Sequence, residues 1–384
     1  MKQRTGRAVG IGIVSLALVI TSACSSTGGE AGGTSGATGG GTSGTPTSSG
    51  DGSQSFAGRS ITVQSWGGAV TDAETAAFYR PFEAKTGAKV NVAVSTSETL
   101  ALLKKQVDSG SAGWDVVTGM STDLLGTAQK EGLIENIDYA KVPGADKLAD
   151  GAKLPDGLGY DVEGIVAAYS TKEGVKPLKS MADFFDTKNF PGPRGAANWG
   201  IATLQCEVAD LAAKTPEKDM YPINVDSCLQ HWKALDGADI SWYDSGSQMA
   251  QSLVSDDVDY CMCYDGRVNQ AAAINADWKY TYDGSVGFFD YASIVSGTKN
   301  ADIAHALLEF MTTPEAQAAY SSAIKYSPSN PAALELLPQS LQGTMATSPD
   351  NDKLVYRRPA SAVEVVQKQT DEVQKAWDNW VSSR

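Results

Sequence analysis

The sequence predicts an α/β protein of two lobes joined by crossing strands. Three observations carry that prediction. Ile61 to Val92 reads as a strand, a Gly67-Gly68 turn, a helix and a second strand, the βαβ order that builds parallel sheets. Two stretches, Val162–Tyr169 and Val286–Phe289 continued at Ser293–Ser296, are so apolar that they read as strands buried on both faces. Between them lies a second series of αβ elements, so the chain leaves one lobe, builds another and returns. The expected partition is residues 58–164 plus 291–334 for lobe 1 and 165–290 plus 335–384 for lobe 2.

The first 24 residues read as a targeting segment. Lys2, Arg4 and Arg7 precede an apolar run, Ala8–Ile20, that is short for a membrane span. It ends in Thr21-Ser22-Ala23-Cys24, which resembles a bacterial lipobox with Cys24 as the lipidated residue. Residues 25–57 are nearly all Gly, Ser, Thr and Ala and cannot bury enough apolar surface to fold. Such a coil reaches about 30 Å. A lipid, a tether and a folded unit predict an exported protein anchored to the outer face of the bacterial cytoplasmic membrane. The whole chain carries a net charge of −14, and loss of the basic leader makes it more acidic. Nucleic acid is therefore not the expected partner.

In the first unit, Thr71 with Glu74 reads as a capping box. Ala76, Ala77, Phe78 and Phe82 give the helix an apolar face, and Gly87 closes it. Ligands of open α/β sheets bind beyond the carboxyl ends of strands. Trp66 and Gly67 stand at such an end. So do Gly119 and Ser121, after the buried strand Trp114–Val117. Later come helices Glu98–Val107 and Asp123–Glu131, and Ala196–Trp199 then enters a helix that runs to about Ala213. Strand Ile240–Tyr243 leads through the turn Ser245-Gly246-Ser247 into a helix. Strand Val258–Tyr264 leads through Asp265-Gly266-Arg267 into another. Helices Ala301–Met311, Pro314–Ile324 and Ala360–Val381 finish the chain.

Catalytic machinery is absent from the pattern, and an enzyme is not expected. His231 and His305 lack partners at ligand spacing, and neither a G-x-S-x-G elbow nor a phosphate loop occurs. No metal site or cofactor is expected. Four cysteines follow Cys24. Export favours disulfides, and Cys206 and Cys228, on consecutive helices, are the expected pair. Cys261 and Cys263 share one face of a strand and read as buried thiols or as some other pairing.

Aromatic residues instead collect beside turns: Trp66, Trp199, Trp242, Tyr243, Tyr264, Phe289, Tyr291 and Tyr326. Among them sit Glu163, Asn198, Asp244, Gln248, Asp265 and Asp290, with Ser245 on a neighbouring turn. Aromatic faces attract ammonium groups and carboxylates add charge-assisted hydrogen bonds. The set suits a small organic amine.

The segments SWGG and YRPFEAKTGAKVNV, WDVVTG, KEGLIENID, FPGPRGAANWG, DDVDYCMCYDGRV and TTPEAQAAYSSAIKYSPSNPAALELLP together resemble the spermidine/putrescine-binding family of ABC-importer solute-binding proteins. The resemblance spans Ile61 to Val381. It implies the two-lobed, type II-like periplasmic-binding-protein fold. It also implies hinge closure on a polyamine such as spermidine or putrescine, and delivery by a monomer to membrane permease subunits. By position, Trp66 matches a stacking Trp, Tyr264 and Phe289 match further aromatics, Tyr326 matches a Tyr, and Gly119 and Ser121 match a ligand loop. The chain departs from the pattern at Asn198-Trp199-Gly200, where acidic residues are expected. It departs again at Tyr291, which takes the place of a ligand Asp; Asp290, one residue earlier, would face away. Arg267 would repel a polycation but could fork onto a carboxylate. A zwitterionic ω-amino acid is the alternative ligand, and a ligand-sensing lipoprotein without transport the alternative role.

Overall fold

A computed structural model describes residues 55–95, 98–111, 113–198, 201–275 and 277–384. The expected leader, Cys24, most of the tether, and Trp199 lie outside the described residues.

Strands β1 (Ser60–Ser65), β2 (Lys89–Val94) and β3 (Val116–Met120) form one parallel block in the order β2-β1-β3. After a short β4 (Ile134–Glu135), β5 (Leu158–Ser170) runs through the centre of the molecule. A second parallel block holds β6 (Arg194–Ala197), β7 (Ile240–Tyr243) and β8 (Tyr260–Tyr264), in the order β8-β6-β7. Next comes β9 (Trp278–Val295), 18 residues long. It pairs antiparallel with β3 at one end and with β5 along its length. The short β10 (Ser327–Pro328) and β11 (Val355–Arg357) pair with β5 and β9. Two α/β blocks are thus joined through a central antiparallel pair, the arrangement the sequence predicts.

Three local readings need correction. The first helix starts at Gly68, before the expected box. Thr71 and Glu74 lie inside it: Thr71 Oγ1 accepts the Gly67 backbone N–H at 2.9 Å, and the buried Glu74 accepts from Ser65 Oγ at 2.5 Å. The same helix widens to a π-helical turn at Thr75–Tyr79 just before Pro81. Pro81 lacks an N–H and crowds the preceding turn. Finally, Tyr280–Tyr282, Val286–Phe289 and Ser293–Ser296, read as separate pieces, are one strand up to Val295. Gly284, Gly287 and Asp290 look like breaks in sequence. Gly287 instead leaves room for β11, since a Cβ there would stand 2.5 Å from Val355 Cγ1.

The Cys206–Cys228 pair is present, bridging helices Ala202–Ala212 and Val225–Trp232 with Cα atoms 4.9 Å apart. Cys261 and Cys263, both fully buried in β8, are paired with each other. No described helix is long and apolar enough to cross a membrane.

Candidate ligand-binding site

The candidate site lies on the central pair. Residues directly opposite in an antiparallel ladder share a face. Asp161 stands opposite Asp290, and Glu163 opposite Phe288. These four therefore project to one side, and Phe289, opposite Val162, projects to the other. Carboxylate oxygens of Asp161, Glu163 and Asp290 all lie within 4.8 Å of one another. Asp161 is fully buried. Its Oδ1 accepts the Asp290 backbone N–H at 3.3 Å, while Oδ2 has no donor. The buried Tyr320 hydroxyl opposes the rise at Asp161 and has no hydrogen-bond partner.

Arg267 brings a cation to this face from the first turn of the helix Asp265–Asn275. Its guanidinium lies 5.9 Å from the Tyr326 ring centre. Two glycines seat the pair: a Cβ at Gly246 would lie 3.0 Å from Arg267 Nε, and one at Gly266 would lie 2.4 Å from the Tyr326 ring. Arg267 Nη1 makes a long 3.4 Å hydrogen bond to Gln270, and Nε has no protein partner. Tyr264 meets Phe288 edge to face at 5.6 Å. The result is an aromatic-walled enclosure with one guanidinium and a group of carboxylates.

The electrostatics follow from crowding. Burial pushes Asp161 well above the usual carboxylate range, and Asp290 and Glu163 push it further. Burial likewise raises Glu163 well above that range; Asp290 adds to the rise, and Arg267 and Tyr326 oppose it. Asp290 is pushed up to about 7 by burial and by Glu74, against Arg267. Asp265 rises to about 7 by burial, although Tyr282 donates to its Oδ2 at 2.7 Å. The Asp161, Glu163 and Asp290 oxygens suit an ammonium group or a hard divalent cation.

The other expected residues fall in three groups. Trp66 ends β1 half-buried, and its Nε1 donates to the Thr118 carbonyl at 3.0 Å. Gly119 supports that indole: its φ is +68°, and a Cβ would lie 2.3 Å from Trp66 Nε1. Gly67 turns the chain beside Val94. Ser121 and Ser245 are helix N-caps, accepting from Leu124 N–H at 3.3 Å and Gln248 N–H at 3.2 Å. Asn198 Oδ1 accepts from Trp377 Nε1 at 3.1 Å. Trp242 belongs to a packed group with Trp232, Trp377 and Trp380 at 5.7–5.9 Å and is not a wall of the enclosure.

The ladder separates Asp290 from Phe289 and Tyr291, three residues the sequence reading placed in one site. Phe289 and Tyr291 pack together at 5.9 Å on the far side of β9, where Tyr291 donates to the Gly151 carbonyl at 2.8 Å. They line a separate hollow of about 350 Å³ with Thr122, Leu204 and Arg358. Phe288 and Asp290 take the side expected for Phe289 and Tyr291. Asp161 and Phe288 escaped the sequence reading. The available signal was Asp161-Val162-Glu163, two acids at strand period in a run otherwise apolar through Tyr169.

Residues 77–349 match the family described as bacterial extracellular solute-binding protein. The chain belongs to that family. This solute-binding protein is 32% identical over 297 residues to a gamma-aminobutyric acid-binding protein of Pseudomonas aeruginosa, covering 76% of the chain and 83% of that relative. It is 25% identical over 291 residues to spermidine/putrescine-binding periplasmic protein 1 of Haemophilus influenzae, covering 71% and 77%. An ABC transporter substrate-binding protein from Bradyrhizobium japonicum USDA 110 superposes with a TM-score of 0.76 at 29% identity, covering 84% of this chain and 99% of that one. The solute-binding protein therefore has the two-lobed periplasmic-binding fold. It acts outside the cytoplasm as the substrate-binding component of an ABC transporter, delivering a small ligand to a permease, and its family is not an enzyme class.

Proposed function

We propose that this solute-binding protein captures a zwitterionic ω-amino acid of the γ-aminobutyrate type. The single observation that carries this reading is that Arg267 shares a face with the carboxylates of Glu163, Asp290 and Asp161. Arg267 would fork onto the ligand carboxylate, and Asp290 and Glu163 would take its ammonium group. A polyamine satisfies the acids but leaves a repelled guanidinium in the enclosure, so it ranks second. The relative named for γ-aminobutyric acid agrees with that order.

In this reading the ligand bridges the proposed lobes, 58–164 plus 291–334 and 165–290 plus 335–384. It stabilises the closed state by binding it more tightly than the open one. A monomer tethered through lipidated Cys24 would keep the ligand near its permease. Calorimetric titration with γ-aminobutyrate, 5-aminovalerate, putrescine and spermidine tests the reading. The expected result is saturable binding of the amino acids at least ten times tighter than of either polyamine. Tighter binding of putrescine or spermidine would overturn it.

A further inference from the structure

Asp161 stands behind the residues given to the ligand, yet it is the most deeply enclosed acid of the group. Like charges directly opposite in an antiparallel pair repel, and here Asp161 faces Asp290 across the ladder with Glu163 two residues along the same strand. Oxygens of all three lie within 4.8 Å, and Asp161 Oδ2 is buried without a donor. Few groups offset this charge. Facing Asp161 are Asp290 from β9, Glu163 and Tyr160 from β5, and Tyr320 from the helix Pro314–Ile324. Asp290 also faces Glu74, from the first helix, and Arg267. Glu163 also faces Asp265, Arg267 and Tyr326. Arg267 is the cation that opposes the rise at Glu163 and Asp290.

We propose that the empty site holds a proton shared between Asp161 and Asp290, and that the ligand's ammonium group displaces it. Asp161 is thus a positioning residue that couples capture to proton release. An ammonium group donates hydrogen bonds and positive charge together, so it replaces what the proton supplied. As it settles on Asp290 and Glu163, one carboxyl O–H bond breaks and the proton passes to bulk water. Burial raises all three acids, Asp290 adds to the rise at Asp161 and Glu163, and Asp290 itself is pushed up to about 7 by burial and Glu74. The sign is fixed: below the pH at which the pair gives up its proton, the ligand must displace it, and affinity falls. Above that pH the site is already open, and affinity is constant.

The inference rests on the amino-acid reading above, and the test separates the two. Wild-type protein is titrated calorimetrically with γ-aminobutyrate from pH 5.5 to 8.5, in buffers of low and high ionisation enthalpy. The ligand's own amine and carboxyl groups keep their charges across that window. The expected result is binding that strengthens about tenfold per pH unit up to neutrality and then levels. At pH 6.5 or below, about one proton should be released per ligand. Binding that is independent of pH, with equal heats in both buffers, overturns the proton exchange and leaves the ligand assignment standing. No saturable binding at any pH overturns the ligand assignment itself. In D161N the acidic decline, read relative to that variant's own affinity at pH 8, is expected to move down by at least one pH unit. An unchanged decline in D161N removes Asp161 from the role.

Discussion

Substituting Gly119 with alanine tests the seat of Trp66. The structure sets two costs. The first is conformational: at φ +68° an L-residue is strained, at about 1–2 kcal/mol. The second is contact: the new Cβ would lie 2.3 Å from Trp66 Nε1, so the indole must leave. Its hydrogen bond to the Thr118 carbonyl is worth about 0.5–1.5 kcal/mol net. Gly132 supplies the control, because its φ is +67° and a Cβ there meets nothing within 4 Å. G132A should show the conformational cost alone. G119A should cost about 1.5–3.5 kcal/mol in all, a fall in Tm of roughly 2–5 °C for a folded unit of this size. Thermal unfolding followed by circular dichroism measures both variants. The indole N–H resonance of Trp66 should shift in G119A only, and γ-aminobutyrate should bind more weakly there. Equal losses in the two variants, with an unmoved Trp66 resonance, would refute the contact.

Arg267→Gln should weaken γ-aminobutyrate binding by about 2–4 kcal/mol, roughly thirty- to a thousand-fold by calorimetry, and leave putrescine binding unchanged or tighter. Folding should change less than binding, because the one hydrogen bond lost is the long 3.4 Å contact to Gln270, although the charge opposing the rise at Glu163 and Asp290 goes with it. Arg358 is different. It binds Glu207 at 2.6 Å, Asp123 at 2.9 Å and Thr203 at 2.9 Å, with all three charged side chains buried. Arg358→Met strands two carboxylates and should cost about 3–5 kcal/mol in denaturant unfolding; a loss under 1 kcal/mol would show that the network relaxes. The raised acids also predict a pH dependence of the ligand-free protein. Folded values above the unfolded ones favour the protonated form, so this stability is full below about pH 4 and is lost as pH rises through about 7. Within the range where the rest of the molecule stays folded, Tm should be higher at pH 5.5 than at pH 8. Saturating ligand should shrink the difference, and a higher Tm at pH 8 without ligand would contradict the burial account.

The first βαβ unit, the crossing strands and the Cys206–Cys228 pair were legible because each has a local signature: period, apolar run or compartment chemistry. Side-chain direction in β9 was not. Sequence alone puts Phe289, Asp290 and Tyr291 together in the site, although consecutive strand residues face opposite sides. Only the ladder, with Asp290 opposite Asp161, restores the register. Trp242 looked like a wall because it stands at the end of a strand. Its packing partners Trp377 and Trp380 come from the last helix, more than a hundred residues further along, and no local pattern reports them. Asp161 went unread because a buried acid with one oxygen lacking a donor breaks the expectation that such groups are satisfied, and that violation is visible only in three dimensions.

The central pair also dictates an order of events as the chain folds. Val116 and Val117 of β3 pair with Ile294 and Ser293, Phe78 stacks on Tyr320 at 5.0 Å, and Asp115 accepts from Asn300 Nδ2 at 3.1 Å. The amino-terminal block is therefore incomplete until residues beyond 320 are present. Contacts so distant in sequence are slow to form. The first half of the chain therefore reaches its final packing only after the piece that closes it has been made.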